Sequence, residues 1–199
     1  MRKLSVATRE TILQSAIRLF SEREVASVST RAIAREARVS EATVFRYFPK
    51  KDEILETILT ETAQSDYREL EHLLGLVDDP REKLLAFCRQ QAHFFCRHRA
   101  LIGVSLREYL FQRPLDGRVR STARHSLATL REVLREGVSK GIFRGDLDLA
   151  TAAMTFHGIS NTVLLHERIS AARPYSETVF VRRVENLYRL YLRAIQTLP

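Results

Sequence analysis

Apolar residues recur at helical spacing along almost the whole of this chain. Ile12, Ala16, Leu19 and Phe20 stand at i, i+4, i+7 and i+8, which predicts a first helix from about Thr8 to Arg23. A short second helix spans Thr30 to Ala37, with Ser29 or Thr30 as N-cap, and a short third one runs from Ser40, its cap, to about Phe48. Pro49 ends the third helix, because proline disfavours the α conformation in the residue before it. A fourth, longer helix runs from about Lys50 to Leu74 through Ile54, Leu55, Ile58 and Leu59. Pro80 opens a fifth, reaching about His98, and a sixth covers about Ala100 to Phe111. The seventh extends from about Leu115 to Lys140, with Gly141 as its C-cap. Asp148 caps the eighth, Leu149 to His166, and Pro174 and Ser176 open the ninth, which ends near Leu198. No alternating β-branched run bounded by turn signals interrupts the series, so the predicted fold is all-α with nine helices.

Helices of two turns are marginal alone, so the short second and third helices must pack on each other and on the first. Ile33, Ala34, Ala37, Val39, Val44 and Phe48 are their predicted inward positions, opposite Ile12, Ala16 and Phe20. The spacing, with a turn at Arg38-Val39-Ser40, fits a helix-turn-helix. Such a motif lays its second helix in the DNA major groove. Glu41, Ala42, Thr43 and Arg46 are then left on the exposed face.

Charge changes the picture in the same place. The net charge is +8, and residues 1–51 carry eleven Lys/Arg against five Asp/Glu, whereas the other 148 carry 21 against 19. A basic surface confined to one end is the footprint expected of a nucleic-acid contact, although a solvated charged face has the same composition. No apolar run approaches the length of a membrane span, and the charged N-terminus lacks the apolar core of a signal peptide, so a cytoplasmic location without membrane contact is expected. Cys88 and Cys96 lie eight apart on one helix, about 12 Å along its axis, too far for a disulfide. Both are expected as free buried thiols.

The pattern T-R-x-I-A-x-x-A-x-V-S-x-x-T-V-F-x-Y-F-x-x-K-x-x-I across residues 30–54 resembles the N-terminal domain of TetR-family transcriptional repressors, and GIFRGDLDLATAA at 141–153 resembles that family's stretch before its eighth helix. The resemblance implies a DNA-binding domain at 1–50 and a ligand-binding and dimerisation domain at 51–199. It implies that Thr30 and Arg31 contact phosphate or a base, that Ser40, Glu41, Ala42, Thr43 and Arg46 belong to the recognition helix, and that Tyr47 and Lys51 reach phosphates. Lys50 adds charge where a capping serine is usual. Arg38 replaces the usual glycine of the turn, a cost of roughly 1–2 kcal/mol if that backbone needs positive φ. Phe45 replaces a tyrosine whose hydroxyl would meet phosphate. Glu41 repels phosphate but can accept from a cytosine amine.

One short recognition helix buries too little surface for tight specific binding, so two copies on a twofold axis, reading a palindromic double-stranded DNA operator with half-sites about 34–36 Å apart, are expected. In the family the last two helices form the homodimer interface; Phe156, Val163, Val184, Leu187, Tyr188 and Tyr191 are the predicted contacts. The middle helices are expected to surround a pocket for a small-molecule effector, apolar or amphipathic, lined by Phe87, Gln91, Phe94, Phe95, Tyr109, Met154 and His157. These residues also describe a plain core. Ligand would favour an arrangement that does not fit the operator, so the two bind antagonistically.

Other chemistries are weakly supported. No Gly-rich phosphate loop or nucleophile elbow occurs, so no enzyme activity or cofactor is expected. His93, Cys96 and His98 are the sole suggestive metal cluster, and their spacing is not that of a structural zinc site, so no metal is assigned. A helical ligand-binding or scaffold protein without specific DNA binding is the alternative, motivated by Arg38 and Phe45.

Overall fold

The computed structural model describes residues 5–99, 101, 102, 104, 117–169 and 176–197. Among them are eight α-helices: α1 (Val6–Glu22), α2 (Thr30–Glu36), α3 (Glu41–Tyr47), α4 (Lys51–Gly75), α5 (Pro80–Arg97), α6 (Gly117–Ser139), α7 (Leu149–Ile169) and α8 (Glu177–Ile195). A 3-10 turn, Val25–Ser27, precedes α2. The ninth expected helix, at Ala100 to Phe111, falls largely outside the described residues; Leu101, Ile102 and Val104 within it are helical and buried. No described helix is long and apolar enough to cross a membrane.

The caps follow local chemistry. The Ser29 hydroxyl accepts from the Ala32 amide and the Ser40 hydroxyl from the Thr43 amide, each at 3.1 Å. Asp148 accepts from the Thr151 amide at 2.6 Å, and that hydrogen bond holds its carboxyl below the usual range. Ser176 caps α8 through the Val179 amide, and the helix starts at Glu177; Pro174 lies outside the described residues.

The chain forms two compact units, with α4 beginning in the first and ending in the second. The first unit has one core. Ile12, Ala16 and Phe20 of α1 meet Ile33 and Ala34 of α2, Val44 of α3, Phe48, and Ile54 and Ile58 of α4. Ile12, Ile33 and Val44 are wholly buried. Burying each such side chain contributes about 1.5–3 kcal/mol, which is what holds two-turn helices that are marginal alone. At the rim, Arg9 binds both carboxylate oxygens of Glu61, at 3.1 and 2.5 Å, and lies 5.6 Å over the Phe48 ring.

In the second unit α8 packs on both α5 and α7. The Phe156 ring sits edge-on to Phe87, Tyr188 and Tyr191 at 5.8, 6.4 and 5.4 Å. The two tyrosine hydroxyls donate to the carbonyls of Arg81 and Ala152, so neither buried O–H is orphaned. Cys88 is buried, donates to the Val184 carbonyl and has its pKa pushed up by burial to about 12, whereas Cys96 is only half-buried, contrary to expectation. After α6, Gly141 adopts φ 69°, the left-handed C-cap conformation expected of it. The Phe143 ring packs directly on Gly137, where a Cβ would lie only 2.0 Å from it.

Candidate nucleic-acid interface

Helices α2 and α3 join through Ala37, Arg38, Val39 and Ser40. The Val39 amide donates to the Ala34 carbonyl at 3.0 Å and the Arg38 amide to the Arg35 carbonyl at 3.2 Å. This is a Schellman closure, in which the residue between the two bonds must be left-handed. That residue is Arg38, at φ 54°, the one non-glycine residue with positive φ among those described. Arginine therefore bears the strain here, and its side chain is exposed.

Packing of α3 through Val44 turns Ala42, Phe45 and Arg46 outward, and Phe45 is 46% exposed. In the sequence Phe45 stands out only by its missing hydroxyl. Its place beside Ala42 on the open face makes an apolar contact patch, and the i, i+3 spacing of the two residues was the signal for it. Arg31, Arg46 and Lys50 are exposed, and no hydrogen bond or ion pair to another described residue engages their side chains.

The remaining predicted contacts are engaged within the chain. The Thr30 hydroxyl donates to Glu41 at 2.6 Å. The Thr43 and Ser40 hydroxyls share a hydrogen bond at 2.8 Å, beside the cap. The Tyr47 hydroxyl accepts from the Ser5 amide at 2.6 Å and donates to the Ser5 carbonyl at 3.0 Å. Lys51 departs furthest from expectation. Its ammonium donates to the carbonyls of Val25, Ala26 and Val28 at 2.7, 3.2 and 3.0 Å. An ammonium has three donors, and all three are used at the end of the 3-10 turn. Lys51 is thus a strut that fixes the segment leading into α2, with no donor left for a phosphate.

The residues expected at a ligand pocket divide. Phe87 and Phe95 are buried, stacked edge-on against Phe156 and Phe180, and Phe94 is half-buried 6.0 Å from Phe95. The Gln91 amide nitrogen lies 2.9 Å from His157 Nδ1, while Gln91 Oε1 is buried without a hydrogen-bond partner. Burial lowers the pKa of His157. Met154, 58% exposed, points away from any interior, because it falls on the outer face of α7. Tyr109 lies outside the described residues.

Five of the six side chains expected between subunits, Phe156, Val163, Val184, Tyr188 and Tyr191, are buried within the chain itself. Leu187 is half-buried. The stripe at Phe180, Val184, Tyr188, Tyr191 and Ile195 is core because α5 and α7 both pack on it. A second stripe at Val179, Asn186 and Leu190 stays outside, with Val179 42% and Leu190 60% exposed. No group of three or more His, Cys, Asp or Glu converges among the described residues, and His93 pairs instead with Glu177.

Comparison with known proteins bears on the same two regions. The family model for bacterial regulatory proteins, tetR family, matches residues 12–58, and that for the tetracyclin repressor-like C-terminal domain matches 77–165. The chain is 25% identical over 150 residues to the HTH-type transcriptional repressor NicS of Pseudomonas putida, spanning 73% of this chain and 70% of that protein. It is 25% identical over 197 residues to the probable acrEF/envCD operon repressor of Escherichia coli K12, spanning 94% and 88%. The solved structure of the transcriptional regulator FadR from Bacillus subtilis in complex with stearoyl-CoA shares the fold, with a TM-score of 0.80 at 17% identity over 94% of this chain and 99% of that one.

Proposed function

Because this chain belongs to the tetR family of bacterial regulatory proteins and is a ligand-responsive DNA-binding repressor, we propose that it grips a palindromic operator as a homodimer and is released by a small apolar or amphipathic molecule. Residues 1–50 carry the DNA contacts, and residues 51–199 carry effector binding and pairing. It acts in the cytoplasm by binding, not by catalysis. The observation that supports this best is the outer face of α3, where Ala42, Phe45 and Arg46 stand open beside Arg31 and Lys50. Exposed cations suit phosphates and guanine edges, and Ala42 and Phe45 suit thymine methyls.

Pairing is assigned to the outer faces of α7 and α8, where Met154, Val179 and Leu190 expose apolar surface. The predicted contacts buried in the core then support that face from behind. Effector binding is assigned to the neighbourhood of Gln91 and His157, a partly buried polar pair in which Gln91 Oε1 is left without a hydrogen-bond partner. Operator and effector are antagonistic because each favours a different arrangement of the dimer.

Selection from a pool of random duplexes by the purified chain tests the reading. A palindrome should emerge, and its affinity should fall steeply with salt. Stearoyl-CoA, bound by the Bacillus subtilis FadR, is the first effector to try against the selected duplex. A chain that retains no duplex at low ionic strength overturns the proposal.

A further inference from the structure

The one acidic side chain at the reading face is held in place by a hydroxyl from the other helix of the motif. Glu41 is the first residue of α3, and the Thr30 hydroxyl, at the first residue of α2, donates to its Oε1 at 2.6 Å. That length is typical of a hydroxyl on a charged carboxylate, a strong class of hydrogen bond. Both residues are half-buried, and Glu41 Oε2 has no hydrogen-bond or ion-pair partner among the described residues. No described cation neutralises the group, although Arg31 and Arg46 are close in sequence on the same motif. An acceptor is thus fixed in one orientation at the end of the helix that enters the groove first.

A carboxylate is a poor neighbour for phosphate, so its place at a DNA-reading surface calls for a donor. Only two base edges offer one in the major groove, the cytosine N4 and adenine N6 amines. The adenine amine is flanked by N7 on its own base and O4 of the paired thymine, both acceptors that repel a carboxylate. The cytosine amine has an acceptor on one side only, O6 of its guanine. We infer that Glu41, positioned by Thr30, reads a cytosine in each half-site of the operator and rejects the other three bases by facing them with an unpaired charge. Rejection works because a desolvated carboxylate against an acceptor edge is repulsive as well as unsatisfied. Glu41 is the specificity residue, and Thr30 is a positioning residue that acts through it.

This inference rests on the DNA-binding reading above, and one experiment separates the two. Random-duplex selection is run in parallel with the unaltered chain, Glu41→Gln, Thr30→Val and Thr30→Ser. The unaltered chain should enrich a palindrome with cytosine at one position per half-site, preferred roughly tenfold over other bases. Glu41→Gln should change that position alone, toward adenine, since a carboxamide can pair with both N6 and N7. Thr30→Val should keep the palindrome and weaken the preference at that position, and Thr30→Ser should restore it. A palindrome that emerges identically from the unaltered chain and Glu41→Gln overturns the inference and leaves the DNA reading standing. A pool with no enriched palindrome overturns both.

Discussion

The Lys51 ammonium meets the Val25 carbonyl at 2.7 Å, and the carbonyls of Ala26 and Val28 complete its three bonds. A basic residue at the mouth of a DNA-binding head is thereby turned inward. It carries positive charge to the carbonyl end of the Val25–Ser27 turn, where a cation is favoured. Lys51→Ala should therefore act first on stability. Leaving these carbonyls without their donor costs about 1–3 kcal/mol, readable as a lower denaturation midpoint. The slope of log affinity against log salt should stay unchanged for the folded fraction. A slope reduced by a full unit would restore Lys51 to the phosphates.

Lys50 and Arg46 should divide the DNA energy in the opposite manner. Lys50 is exposed, so Lys50→Ala should weaken all duplexes alike and lower the salt slope by about one. Arg46 points from the recognition helix, so Arg46→Ala should cost about 1–3 kcal/mol on the selected duplex and much less on random DNA. Fluorescence-anisotropy titrations over a salt series measure both effects.

Arg38 is the strained point of the helix-turn-helix. Its φ of 54° suits glycine, so Arg38→Gly should stabilise the chain by about 1 kcal/mol, visible in urea unfolding. An equal loss of stability would mean that the Arg38 side chain makes a contact in solution that outweighs its backbone.

Leu190→Arg places charge on the outer face of α8, where Leu190 is 60% exposed. The folded core should tolerate it, with an unchanged helical circular-dichroism spectrum. Sedimentation should then find single subunits where the unaltered chain gives dimers, and operator affinity should fall with the loss of pairing. A dimer that survives both Leu190→Arg and Met154→Arg would place pairing elsewhere.

His157 makes stability depend on pH. Burial holds its folded pKa below the ordinary 6.5, so the unfolded chain binds a proton that the folded chain refuses. Its contribution is fully present above the ordinary value and is lost as pH falls through 6.5 toward the folded pKa. The slope from this one group cannot exceed about 1.4 kcal/mol per pH unit. His157→Gln should flatten the stability profile between pH 7 and 5 by up to that amount.

Much of this was legible in the residues alone. Ser29, Ser40, Asp148 and Gly141 act as caps because capping involves partners only three or four residues away. The apolar period of α1 and the restriction before Pro49 are equally local. The family pattern at residues 30–54 depends only on the order of side chains along the chain, so it belongs with these local signals.

What the sequence determined by itself, then, was the succession of the described helices, several of their caps, the helix-turn-helix and the family. The tertiary structure decided how individual side chains are used. The period of α8 marks its apolar face but cannot say whether that face meets α5 and α7 or a second copy of the chain; packing put Val184, Tyr188 and Tyr191 inside and left Val179 and Leu190 out. Lys51 and Arg46 look alike as cations, but a hydrogen bond spanning 26 residues turned the first inward. The same holds for Thr30 and Glu41, whose bond crosses from one helix to the next. Periodicity and capping are set within one turn of helix, whereas the partner of an exposed-looking hydroxyl or ammonium is set by chain segments that meet only on folding.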